Sequence, residues 1–254
     1  MSFDVSAAAY GRFMGQYSEP LAPLFADWSQ LQPHYRALDV GCGTGALTEQ
    51  LARRLGTGAV AAVDPSPSFV EATTRRVPGL DVRLAGAEHL PFGDGEFDAA
   101  LAQLVVHFMA DPVAGLREMA RVTRSGGLVT ACVWDHAGDR GPLATFWRAV
   151  HDLDPTAAGE AKLAGTREGH LAELFSVAGL HSIESSALSV TRHFASFDEW
   201  WHPYTLGVGP AGAYVSGLTD GRREALRMRC AASVPTAPFE VSALAWCARG
   251  VVPE

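Results

Sequence analysis

Apolar positions along this chain change rhythm near residue 36. Between Tyr10 and Trp28 they recur at helical spacing (Phe13, Met14, Tyr17, Leu21, Leu24, Phe25), which predicts one or two short helices interrupted at Pro20 and Pro23. From Arg36 onward, short apolar runs alternate with amphipathic stretches. "RALDVG" is followed by a helix from Ala46 to about Leu55, "AVAAVD" by a helix from about Ser66 to Arg76, then "DVRLAG" and "FDAALAQ", a helix from about Val113 to Arg124, and "GLVTACVW". These runs are almost continuously apolar, as burial on both faces of a parallel sheet requires. The reading is an α/β fold with a doubly wound, mostly parallel sheet whose core spans about residues 36–135.

Beyond that core, "REGHLAELFSVAGL" predicts a helix ended by Gly179. "HSIESSALSVTRHF" and "FEVSALAWCARGVV" add two strands, which bring the sheet to seven and are expected to close it antiparallel. Residues 1–35 are read as lead-in helices and 36–254 as the main domain. The segment from about 195 to 237, aromatic at first, then rich in Gly and Pro, then helical, is too long for an idle loop and is read as a lid over a binding site.

The 254 residues are 48% hydrophobic, enough for a full core. A formal net charge of −8 gives no general attraction to a phosphate backbone or an anionic membrane, so nucleic acid and membrane are not expected partners. Cys42, Cys132, Cys230 and Cys247 lack the paired spacing of metal or redox motifs, so no metal is expected. No leader-like start and no uninterrupted apolar stretch of about 18 residues is visible, which predicts a cytoplasmic setting.

Candidate chemistry starts at "ALDVGCGTGALTEQLA", residues 37–52, where a strand gives way to a helix through Gly41, Gly43 and Gly45. Glycines there let a ligand approach the main chain, with backbone N–H groups as the expected contacts. Asp64 lies about 20 residues further on, where an acid at the tip of the second strand accepts hydrogen bonds from a ribose. As a bare pattern this fits a nicotinamide dinucleotide as well as other adenosine cofactors, with adenosine supported better than pyrophosphate.

The surrounding motifs separate these cofactors. "LDVGCGTG", "VAAVDPSPSFVEAT", "LAGAEHLPFGDGEFDAALAQLVVHFMADP" and "GLREMARVTRSGGLV" occur in the order of the class I S-adenosylmethionine-dependent methyltransferases, and the chain resembles the ubiquinone/menaquinone-biosynthesis methyltransferase-like group. The resemblance implies the Rossmann-like methyltransferase fold and S-adenosyl-L-methionine as cofactor. It implies that the backbone at Gly41, Gly43 and Gly45 borders the methionine half, with Asp39 near its amino group and Asp64 on the ribose. Phe69 would lie against the adenine, Ala87 and Glu88 along its edge, Gln103 beside the methionine chain, and Tyr10 as a cap from the lead-in. The chain departs from the family at Gly86, where an Asp usually accepts from the adenine amino group, and at Ser125-Gly126-Gly127, where Pro-Gly-Gly is usual; Glu88 is a substitute acceptor.

Transfer from a sulfonium requires aim more than acid or base, unless the nucleophile carries a proton. His107, past the carboxyl end of the fourth strand, is the first candidate base, and His202, among Trp200, Trp201 and Tyr204, the second. Trp134, Asp135 and His136 follow the fifth strand, where two readings stand: side chains that reach the cleft, or, as favoured, a turn residue and a solvated pair. The expected function is methyl transfer to O, N or C of a small molecule by in-line displacement. A cofactor-binding regulatory or partner subunit without transfer activity is the alternative, a nicotinamide-dependent oxidoreductase is allowed by the glycine spacing alone, and a homodimer is left open.

Overall fold

In the computed structural model, which describes residues 7–254, α1 (Ala7–Tyr10), a π-helical turn (Gly11–Gly15) and α2 (Gln16–Trp28) lead into the sheet. The first six residues of the predicted 1–35 lead-in lie outside the described residues. Strand and helix then alternate as β1 (Ala37–Val40), α3 (Ala46–Leu55), β2 (Val60–Asp64), α4 (Pro67–Arg76) and β3 (Asp81–Leu84). There follow β4 (Phe97–Gln103), α5 (Pro112–Val122), β5 (Thr123–Trp134), α6 (Ala144–Leu153), α7 (His170–Val177) and β6 (His181–Phe194). Three helices, α8 (Phe197–Trp201), α9 (Gly209–Ser216) and α10 (Asp220–Ser233), precede β7 (Phe239–Val251).

The seven strands form one sheet in the order β3-β2-β1-β4-β5-β7-β6. The first five run parallel, and β7 is antiparallel to both β5 and β6. Connections from β1 go one way to β2 and the other way toward β4, so a crevice opens between the carboxyl ends of β1 and β4. Every residue of β1 and β2 is buried, which is why their sequences are nearly unbroken in apolar residues.

Alternate side chains feed two cores. Ala37, Val60, Ala62 and Leu101 pack with α2, α3, α6 and the 197–233 insertion on one face, whereas Leu38, Ala61 and Val63 pack with α5 and α7 on the other. Asp39 therefore points to the α3 side, where Thr48 of that helix meets it. Among the described residues, no helix is long and apolar enough to cross a membrane.

Three local expectations are corrected. Pro20 and Pro23 do not break α2, because both lie on its outer side while Tyr17, Leu21 and Phe25 anchor the inner face; the carbonyls that lose a donor there can meet water. α5 stops at Val122 and not at Arg124, because Thr123 already pairs with Phe97 in the β5–β4 ladder. α6, missed in the sequence, buries Phe146, Trp147, Ala149 and Val150.

Gly41 shows how tightly the first turn is built. Its φ is +74°, and a Cβ there would come 2.5 Å from a Val105 methyl. Gly41→Ala is expected to cost about 2–5 kcal/mol, from the left-handed backbone and the overpacking together. Gly58, at an ordinary φ with open space beside it, should tolerate Ala within about 0.5 kcal/mol. Urea denaturation of the two variants checks this, and equal midpoints would contradict it.

Candidate active site

The turn between β1 and α3 places Gly41, Gly43 and Gly45 in the left-handed region. The N–H groups of Gly41, Cys42, Gly43 and Gly45 are satisfied within the chain. Gly41 and Cys42 donate to the Val63 carbonyl at 2.8 and 2.9 Å, and Gly45 donates to the Cys42 carbonyl at 2.9 Å. Gly43 donates to Asp64 Oδ2 at 2.9 Å, and its carbonyl accepts from Thr73 Oγ1 at 2.9 Å. The expectation that these N–H groups greet a ligand is thus corrected: the strand-to-helix turn folds its donors onto β2, and no anion-binding nest remains at those four positions. A Cβ on Gly43 would meet nothing within 4 Å, so the turn offers open space against bare backbone.

Two carboxylates border that space. Asp39 is buried at the end of β1, takes a 2.5 Å hydrogen bond from Thr48 Oγ1, and is pushed up to about 7 by burial. Asp64, at the tip of β2, accepts from Gly43 on one oxygen and from the Ser66 N–H at 2.8 Å on the other; burial raises its pKa. Neither is ion-paired to a Lys, Arg or His among the described residues. Gln103, ending β4, donates through Nε2 to the Ser18 carbonyl at 3.1 Å, while its Oε1 is buried without a partner and the Ser18 hydroxyl lies buried beside Tyr10. The donor set is therefore carboxylates, an amide oxygen and a hydroxyl, chemistry that suits a ligand bearing cations and hydroxyls.

Phe69 is buried on α4 and meets the edge of Tyr10 at 5.2 Å between centroids. Burial, with Asp64 beside it, pushes the Tyr10 hydroxyl up to about 12. Tyr10 thus reaches from α1 to Phe69 and toward Asp64. Ala87 is buried and Glu88 half-buried. Glu88 Oε1 accepts from the Ala110 N–H at 2.8 Å, so one oxygen is committed to the loop before α5, and Oε2 lies 3.4 Å from the position a Cβ would take on Gly86.

A second, more apolar cavity opens beside this cleft. Its floor is Leu104, His107 and Phe108 after β4 with Trp134, the last residue of β5, and His136 just beyond it; Tyr10, Phe13 and Met14 form one wall, and Val208–Ala211 at the start of α9 the roof. Leu104 takes φ +62°, turning the chain sharply into the cavity floor. His107 is buried with its Nδ1 unpartnered, and burial together with His136 holds its pKa well below the usual imidazole value. The two rings lie 6.0 Å apart, and burial pushes His136 down to about 4.

Glu160 also lines the cavity. It is buried, accepts a 2.8 Å hydrogen bond from Trp147 Nε1, and is raised to about 7 by burial. A glutamate in an irregular loop carries no pattern that the sequence could disclose, whereas Trp134 and His136, for which the cleft was the less favoured reading, both line the cavity and Asp135 does not.

His202 is corrected. It is exposed and does not line the cavity. Helical phase explains this: Trp200, Trp201 and Tyr204 share the buried side, which turns residue 202 outward. Those rings anchor the insertion, with Tyr204 stacked on Phe146 at 4.5 Å and edge-on to Phe13 at 5.1 Å. Among the described residues no group of three or more His, Cys, Asp or Glu is placed to hold a metal ion.

Comparison with known proteins adds three findings. The methyltransferase domain family matches residues 38–131. An uncharacterized methyltransferase of Mycobacterium tuberculosis is 36% identical over 140 residues, 55% of this chain and 54% of that protein, so the chain spans about half the length of such curated relatives. A malonyl-[acyl-carrier protein] O-methyltransferase of Dechloromonas aromatica is 31% identical over 193 residues, covering 76% of this chain and 67% of the relative. A solved structure of a putative methyltransferase from Bacillus halodurans shares the fold at TM-score 0.61 and 15% identity, covering 92% of this chain and 99% of its own.

With both imidazoles held low, neither His107 nor His136 is expected to titrate between pH 5.5 and 8. Proton NMR of the ring resonances, assigned with His107→Asn and His136→Asn variants, checks this. A midpoint near the ordinary value of about 6.5 for either ring would contradict the buried, neutral assignment.

Proposed function

Because the chain belongs to the S-adenosylmethionine-dependent methyltransferases, we propose that it transfers a methyl group from that cofactor to an apolar small molecule held beneath α9. The observation that carries this reading is the pairing of two buried, uncompensated carboxylates with a turn whose three glycine N–H groups are already satisfied. A pyrophosphate would find no free donors at those four positions and two repelling charges. A ligand with an ammonium, a sulfonium and a ribose diol is complementary to both carboxylates.

When bound, S-adenosylmethionine supplies a methyl group already activated on a sulfonium. Asp39 would hold the ammonium end and Asp64 the ribose hydroxyls through the lone pairs its two backbone bonds leave free. Open space beside Gly43 admits the ligand. Phe69 and Ala87 would border the adenine, Tyr10 closes over them, and Gln103 Oε1 and the Ser18 hydroxyl offer polar contacts to the methionine chain.

On the acceptor side, Phe13, Phe108, Trp134 and the α9 roof exclude water, and alignment of nucleophile and methyl supplies on the order of 7–11 kcal/mol of barrier reduction. His107 is kept neutral, so its unpartnered Nδ1 serves to orient a polar group of the acceptor instead of storing a proton. The insertion over residues 197–233 acts as the lid, clamped by Tyr204 against Phe146 and Phe13.

Calorimetric titration with S-adenosylmethionine tests the reading. Asp64→Ala is expected to weaken binding about 30- to 150-fold, from the loss of about 2–3 kcal/mol of hydrogen bonding to the ribose. Gly43→Val should weaken it further by filling the space the ligand needs. Since Asp39 is protonated below about 7, affinity should rise as pH goes from 6 to 7.5, and Asp39→Asn should remove that slope. Absence of binding, or binding indifferent to Asp64, would contradict the assignment.

A further inference from the structure

Glu160 is a buried carboxyl with no cation to meet it among the described residues. It sits in the loop between α6 and α7, and no Lys, Arg or His among the described residues forms an ion pair with it. Its carboxyl accepts a hydrogen bond from Trp147 Nε1. A buried carboxylate left in this state is costly unless something pairs with it.

The loop is seated, so the burial is built. A Cβ on Gly159 would approach the His151 ring at 3.2 Å, which shows the loop backbone pressed onto α6. His151 Nε2 lies 3.2 Å from the Ala157 carbonyl on one side of Glu160, and Thr166 Oγ1 donates to the Ala161 carbonyl at 3.0 Å on the other. Trp147, which presents its N–H to the carboxyl, is itself packed edge-on to Phe146. The position of the carboxyl is therefore fixed from both strands of the loop and from the helix beneath.

Around it, the cavity lining contains no Lys or Arg, and its two imidazoles are held neutral. A carboxylate or phosphate entering here would meet a carboxyl and no positive charge. An amine would meet a hydrogen-bond acceptor of opposite charge and the faces of Tyr10, Phe13, Phe108 and Trp134, which attract cations.

We propose that Glu160 is the anchor of the acceptor cavity and that the acceptor is an apolar amine whose N–H groups bind the Glu160 carboxyl. This rests on the same cavity being the acceptor site. It sets the chain apart from carboxylate-accepting enzymes by the charge of its pocket alone. Glu160 is placed as a recognition residue; the methylated atom is a separate matter of reach to the cofactor cleft.

Three probes of similar shape separate the outcomes: 2-phenylethylamine, 2-phenylethanol and phenylacetate, each titrated calorimetrically into the full chain with and without S-adenosylhomocysteine. The amine is expected to bind about ten-fold or more tightly than the other two. Glu160→Gln should abolish that preference while leaving S-adenosylhomocysteine affinity and the far-UV circular dichroism spectrum unchanged. Trp147→Phe, which leaves the carboxyl in place, should keep the preference for the amine.

Phenylacetate or phenylethanol binding as tightly as the amine, an amine affinity untouched by Glu160→Gln, or no probe binding in either state would overturn the proposal. If S-adenosylhomocysteine binds and the amine is not preferred, only the Glu160 assignment falls. If S-adenosylhomocysteine itself does not bind, the cofactor reading falls with it.

Discussion

The hydrogen bond from the Gly43 N–H to Asp64 Oδ2, 2.9 Å long, joins the turn after β1 to the tip of β2. It fixes the left-handed course of the turn, holds the carboxylate at the mouth of the crevice, and removes the donor that a phosphate would need. Thr73 on α4 completes the lock by donating to the Gly43 carbonyl. Because both polar groups of Gly43 are engaged inside the chain, what the turn presents to a ligand is shape: bare backbone beside open space, flanked by Asp39 and Asp64. The same glycine spacing that would cradle a pyrophosphate elsewhere is here the wall of a cleft bordered by two buried carboxyl groups, which is the basis for proposing a cationic ligand.

Two chambers meet along the ends of β4 and β5. The polar one is made by parallel-strand tips, where topology alone brings Asp39, Asp64 and Gln103 together. The apolar one is made by added parts: the lead-in, the 197–233 insertion and the loop carrying Glu160. Tyr10 belongs to both, touching Phe69 on one side and lining the cavity on the other. Elements outside the sheet core thus shape the apolar cavity, while strand tips of the core shape the polar cleft.

That division explains what the sequence disclosed. Strand boundaries and the glycine turn were legible because burial on both faces leaves continuous apolar runs, and left-handed backbone selects Gly41, Gly43 and Gly45. The doubly wound, mostly parallel character of the sheet and its closure by two antiparallel strands were legible from the same alternation, but the order of the strands was not. His107 was legible as a cleft residue because it follows a strand end. His202 was not, since aromatic neighbours in sequence do not reveal helical phase across a junction from α-helix to 3₁₀-helix. Glu160 left no trace, because its burial depends on Trp147 thirteen residues away on a helix whose pattern was overlooked.

The most direct test of a cleft built for cations and hydroxyls is its response to phosphate on an otherwise constant nucleoside. In a calorimetric titration at one ionic strength, adenosine against 5′-AMP varies the phosphate alone, while NAD and S-adenosylhomocysteine place a pyrophosphate or an amino acid on the same adenosine. The account predicts that adenosine binds weakly, that S-adenosylhomocysteine binds more tightly through Asp39, and that 5′-AMP and NAD lose affinity against the buried carboxylates. Binding of 5′-AMP or NAD as tight as that of S-adenosylhomocysteine would contradict it.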